Sequence, residues 1–287
     1  MPGYFRAPFR LEPVATQLDP KLRQLGAQID RNFDEIEYPA GGIPTLFVAA
    51  ADATERSKEI ADYVCTGTGD QGQINAAMAA LDGADPFTGR VLLSEGNFYL
   101  TSNVQLGWRT MLQGFGYATT LNLSGGITGI ATDEETVVRD LHVYGDNASG
   151  SIGIYSSGVR SQVENCSVER CQTGINVATG NGPTHVLNCR VGSTSAPTPF
   201  SIDLGSGGTG SAVDALIQGC VLARSLRVVA NYALIVNNRF STSANIDVVS
   251  GNGNCFQGNF LPFGLSSFTD AGTQTQRGTN FSQSVTW

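Results

Sequence analysis

The 287-residue chain carries 25 Asp and Glu against 17 Lys and Arg, a formal charge of −8, which argues against a phosphate backbone or an anionic lipid surface as its main partner and leaves neutral glycans open. Its 41% hydrophobic content can fill a substantial core, and 35 glycines with only 15% charged residues suit bends and stacked polar ladders better than helices. No run of 18 apolar residues and no charged-then-apolar leader is present, so neither membrane insertion nor a secretion signal is expected.

Residues 1–17 carry three prolines, Tyr4, Phe5, Phe9, Arg6 and Arg10 without helical or strand period, and read as an extended arm. Asp19-Pro20 then starts a helix, with Asp as N-cap and Pro at the first position. Leu22, Leu25, Ile29, Asn32 and Ile36 follow at alternating three and four spacing, a short heptad seam with one polar residue of the kind that fixes register. A helix this short is marginal alone, so the seam predicts self-association, expected as a homotrimer. Tyr38-Pro39-Ala40-Gly41-Gly42 closes this first unit, residues 1–42.

Residues 43–88 form a connector and a capping element. Ile43 to Ala51 reads as a strand or extended link, followed by the polar stretch Asp52 to Lys58. Asp70 with Gln73 resembles a capping box, and Ile74, Ala77, Met78 and Leu81 make one apolar helical face. A helix here would cover the open first rung of a sheet that follows.

From 89 to 261 the chain repeats. Arg90 to Leu100 gives two strands about Gly96, and then a six-residue unit recurs six times, with Asp140, Asn165, Asn188, Gly219, Asn237 and Gly258 at its third position. Those residue types enter the left-handed region at least cost, so each unit bends at one fixed point. The next residue is Leu141, Cys166, Cys189, Cys220, Asn238 or Asn259, an inward column in which thiols give way to an Asn ladder. A second apolar register at Ile130, Ile154, Ile175, Ile202, Val228 and Ile246 supplies another strand per turn. Periods of roughly 20 to 50 residues indicate a solenoid, here a mainly β, right-handed, single-stranded parallel β-helix with an N-terminal helix and a capping helix. Residues 262–287 read as a polar C-terminal arm. Stacked cysteines in the inward column suit reduced thiols, hence folding in a reducing cytoplasm.

The Ala61-Asp62-Tyr63-Val64-Cys65-Thr66-Gly67 segment, the Asp70-Gln71 and Ile74-Asn75-Ala76-Ala77 helix, the Gly89 to Leu100 rung and the Asn-bend rungs resemble the pectate-lyase-like right-handed β-helix proteins. The arm and helix before them resemble bacteriophage tail proteins that carry that fold. The resemblance implies a virion tail location, other tail proteins as partners of residues 1–42, and a host-surface polysaccharide as a further partner. The lyases of this family need acidic calcium ligands and a basic proton abstractor on one outer face. The matching rungs show no such cluster, so no lyase residue carries over and no metal or other cofactor is expected. The acidic run Asp133-Glu134-Glu135 reads as a solvated turn.

Residues one step past the second register should point outward: Ala131, Tyr155, Asn176, Asp203, Val229 and Asp247. Asp203 and Asp247, two rungs or ~9.6 Å apart, are candidate catalytic carboxylates near the separation an inverting glycosidase uses. Tyr155 and Asn176 suit sugar stacking and hydrogen bonding without a reaction. Three functions follow as expectations: a trimeric tail protein that recognises a host glycan, a polysaccharide depolymerase (glycosidase or lyase), and a purely structural tail component.

Overall fold

The computed structural model describes residues 43–81, 89–178, 182–192, 200–205, 212–241, 244–261, 268–278 and 281–282. The seam residues Leu22, Leu25, Ile29, Asn32 and Ile36 lie outside them, as does all of 1–42. What is described is a right-handed parallel β-helix, in which each turn stacks on the one before through parallel pairings.

A single turn shows the plan. Ile152–Ser156 joins one sheet, Gln162–Glu164 joins a second, the chain bends at Asn165, and Ser167–Glu169 continues in that second sheet. Repetition builds a first sheet of nine described strands, running from Val104–Gln105 to Phe268–Asp270, and a second of eighteen. The coil starts below the Gly96 turn, because Thr45–Ala49 is itself a strand and pairs in parallel with Arg90–Leu93.

Every bend named from the sequence adopts the left-handed conformation: Asp140, Asn165, Asn188 and Asn237 have φ between 53° and 55°, and Gly219 and Gly258 have 68° and 67°. The bends also nest. A Cβ on Gly219 would lie 2.5 Å from Asn188 Oδ1, and one on Gly258 2.3 Å from Asn237 Oδ1, so the Asn side chain of each preceding bend occupies the space over the glycine.

The inward column is buried throughout, Leu141, Cys166, Cys189, Cys220, Asn238 and Asn259 all at 2% exposure or less. One geometry serves both chemistries. Cys166, Cys189 and Cys220 point Sγ at the Val138, Val163 and Val186 carbonyls (3.6, 3.6 and 3.5 Å), while Asn238 and Asn259 donate Nδ2 to Ile217 O and Ile235 O (2.9 and 2.8 Å). Asn adds cross-rung acceptance: Asn238 Oδ1 takes the Cys220 N–H at 2.8 Å and Asn259 Oδ1 the Asn238 N–H at 3.0 Å. All six cysteines are buried free thiols.

Helix α1 (Glu55–Ile60) occupies the polar stretch, with Thr54 as its N-cap accepting from Ser57 N. Helix α2 (Gln71–Leu81) buries Ile74, Ala77, Met78 and Leu81 against the first strands of the coil, as its apolar spacing predicts. Asp70 differs from expectation in its partners. Its carboxylate accepts from the N–H groups of Thr66, Gly67 and Tyr99 (3.2, 2.9 and 2.8 Å), tying the loop before α2 to the adjacent rung. Among the described residues no helix is long and apolar enough to cross a membrane.

Candidate functional site

The outer face of the nine-stranded sheet carries one outward residue per rung. The observed column is Gln105, Ala131, Tyr155, Asn176, Asp203, Arg227, Asp247 and Thr269, each paired in register with the next. The corresponding inward column, Ile130, Ile154, Ile175, Ile202, Leu226 and Ile246, is buried in the core.

The sequence reading places Val228 and Val229 in this rung, and the structure corrects it. Ile202 pairs with Leu226 and Asp203 with Arg227, so the true outward residue is Arg227, while Val228 lies opposite Leu204 and Val248. Both valine and leucine point inward at full burial. A slip of two residues along a strand keeps every side chain on its face, so alternation alone cannot detect it.

That correction changes the chemistry of the two aspartates. Arg227 stands between them and grips Asp203 with two of its three guanidinium nitrogens, Nε to Oδ1 at 2.8 Å and Nη2 to Oδ2 at 2.7 Å. Its guanidinium also lies 4.7 Å from the centre of the Phe200 ring. Asp203 is 3% exposed, although it faces away from the core. Asp247 accepts a 2.6 Å hydrogen bond from Thr269 Oγ1. The face therefore presents a carboxylate–guanidinium–carboxylate–hydroxyl ladder, in contrast to the open acid and base pair expected, since an inverting glycosidase keeps room for water between its carboxyl groups.

Tyr155 and Asn176 are neighbours in register, as expected, but in different settings. Asn176 is 7% exposed, and both faces of its strand, Thr173–Val177, are buried. Tyr155 is half-buried and lines an open groove of about 400 Å³ with Ser102, Asn103, Ile127, Thr128 and Ala131. An aromatic face beside hydroxyl and amide groups suits a sugar ring, because it offers apolar contact and hydrogen bonds together. Nothing but Tyr155 marks this groove in the sequence, since Ser102 and Asn103 belong to a linker between strands.

The acidic run is more ordered than a solvated turn. Glu135, left-handed at φ 56°, accepts from Arg109 Nε and Arg160 Nη1, and those two arginines are left-handed as well. Among the described residues no group of three or more His, Cys, Asp or Glu side chains is arranged to hold a metal ion.

No family profile matches the chain, and no curated protein matches it significantly. Solved structures do. The Escherichia coli protein ybhc superposes with a TM-score of 0.58 at 13% identity, covering 98% of this chain and 99% of its own. A pectin methylesterase from Aspergillus niger gives 0.54 at 13%, covering 86% and 87%, and the pectate lyase Pel9A gives 0.52 at 14%, covering 83% and 80%. At such identities the likeness shows the fold alone, the right-handed parallel β-helix that the chain shares with these proteins.

Proposed function

We propose that this chain recognises a polysaccharide on the outer face of its nine-stranded sheet, with one sugar seated in the groove against Tyr155. The observation that supports it most is the groove itself, where the half-buried Tyr155 lies beside the polar side chains of Ser102, Asn103 and Thr128. Asp203 and Asp247 outnumber Arg227 on this face, which favours an uncharged glycan. In its fuller form the proposal is a trimeric bacteriophage tail protein, held to the particle by residues 1–42 and meeting a host-surface glycan. The support for that form is the seam and arm in the sequence.

A second reading, a polysaccharide depolymerase, draws support from structural neighbours named as a pectate lyase and pectin methylesterases. One experiment separates the two. The protein is incubated with host-envelope polysaccharides, and both retention and release of reducing ends are measured for wild type, Asp203→Asn and Asp247→Asn. Retention without new reducing ends supports recognition. Cleavage by wild type that either substitution abolishes supports the depolymerase.

A further inference from the structure

Three of the six buried thiols form a stack. Cys166, Cys189 and Cys220 hold equivalent places in successive rungs, because the flanking strands align Glu164 with Leu187 and Gln218, and Ser167 with Arg190 and Val221. The three side chains also take one orientation. Each sulfur lies 3.3, 3.3 and 3.4 Å from the carbonyl two residues before it (Glu164, Leu187 and Gln218), and 3.6, 3.6 and 3.5 Å from a carbonyl of the preceding rung (Val138, Val163 and Val186). Side chains that make the same two contacts in every rung repeat at the rung spacing, so neighbouring sulfurs stand ~4.8 Å apart and the outer two ~9.6 Å. Leu141 and Asn238 bound the stack at its two ends. Contact with the neighbouring thiol, together with burial, holds Cys189 and Cys220 well above the ordinary thiol range, so a lone thiolate is disfavoured here.

We propose that this stack is a two-coordinate site for mercury(II), held in line between the Cys189 sulfur and that of either Cys166 or Cys220. A metal–thiolate bond of about 2.3 Å, taken twice, covers about 4.6 Å, close to the rung spacing. Binding breaks two S–H bonds, forms two Hg–S bonds and releases two protons to solvent, with no change of oxidation state. The product is neutral, and that decides the ion. The residues stacked above and below the thiols, Leu141 and Asn238, carry no formal charge, so a net charge buried here would cost heavily. Silver(I) or copper(I) on the same two thiolates would leave a negative charge. Zinc takes four ligands, and sulfurs two rungs apart cannot meet at one ion, in keeping with the lack of a three-donor group among the described residues. Thiolates select soft ions. Little hydrogen bonding is given up, since a thiol is a weak donor and these contacts are long. The stack is at most 2% exposed, so the ion enters through local opening of the rungs and loading is slow. The inference is independent of the groove beside Tyr155.

The test equilibrates the full chain with one equivalent of mercury(II) in excess mercaptoethanol, a monothiol that strips ions held by a single protein thiol. Retention is read by native mass spectrometry and coordination by X-ray absorption, with zinc(II) as the comparison. Wild type should retain one mercury ion per chain, with two sulfur neighbours at about 2.3 Å, and no zinc. Cys189→Ala leaves only thiols ~9.6 Å apart and should weaken retention about a hundredfold or more, as should Cys166→Ala with Cys220→Ala, which leaves the middle thiol alone. Cys166→Ala and Cys220→Ala taken singly each keep an adjacent pair and should bind as wild type does. Mercury should raise the melting midpoint of wild type and of both outer single variants, and leave that of Cys189→Ala unmoved. If Cys189→Ala does not fold, the outer double variant reads the same loss. No retention by wild type, undiminished retention by Cys189→Ala or the outer double variant, loss in a folded outer single variant, or equal retention of zinc would each overturn the proposal.

Discussion

Arg227 reaches back one rung and closes both oxygens of Asp203, at 2.8 and 2.7 Å, on a face where Asp203 is almost wholly covered. A carboxylate so held is an organising element of the sheet, fixing the position of the Arg227 side chain across the rung boundary.

Removing one partner of this pair should therefore cost more than removing a surface charge. Arg227→Ala leaves a buried carboxylate without its counter-charge and should destabilise by about 3 to 5 kcal/mol, whereas Arg227→Ala combined with Asp203→Asn should recover much of the loss. Urea unfolding of the two variants makes the comparison, and equal stability of both would contradict the account.

The bends give a second expectation. Asn165→Val forces a β-branched residue into the left-handed region and should cost on the order of 1 to 2 kcal/mol, while Asn165→Gly should be nearly neutral. Gly219→Ala adds a steric penalty because Asn188 Oδ1 already fills the space, so Asn188→Ala should relieve part of it. Thermal melts of the single and double variants report the coupling.

The bends were legible in the sequence because the left-handed region admits few residue types cheaply, so Asn, Asp and Gly mark it at Asp140 through Gly258. The same conformation at Arg109, Glu135, Arg160 and Tyr232 left no such mark, since those residues are placed there by the turns around them. The face of each strand was legible from alternation, but its register was not, and Arg227 was missed for that reason. The cover over Asn176 and Asp203 has no local signature. Helix α1 escaped notice because five polar residues and a single Ile60 carry no apolar period.

Stability should fall in mild acid. Burial pushes the His185 imidazole down to about 4 from an ordinary value of 6.5, so between these values the unfolded chain takes up a proton that the folded chain refuses. Glu95 acts lower. The Thr54 N–H, aided by Ser57 Oγ, holds its carboxyl at about 2 from an ordinary 4.5, and that contribution is lost as pH drops across this range. Denaturation midpoints should decline from pH 6.5 toward 4, and His185→Gln should flatten that part of the profile without changing the limb below 4.5.

The thiols should be silent in the folded protein. Burial raises Cys65 and Cys171 to about 12, with Asp70 adding to the rise at Cys65, and Cys189 and Cys220 lie inside the stacked column. A thiol reagent should find almost no reactive group in the native chain and six in the unfolded, unreduced chain. Two or fewer in the unfolded chain would show that disulfides had formed and that the column is not a reduced ladder.

Calorimetric titration of uncharged polysaccharides into wild type and Tyr155→Ala tests most directly whether the groove beside Tyr155 is where a polysaccharide is recognised. Loss of the stacking ring should weaken binding by about 1 to 2 kcal/mol, roughly five- to thirtyfold, with an unchanged melting curve. Equal affinities for wild type and Tyr155→Ala would contradict the account.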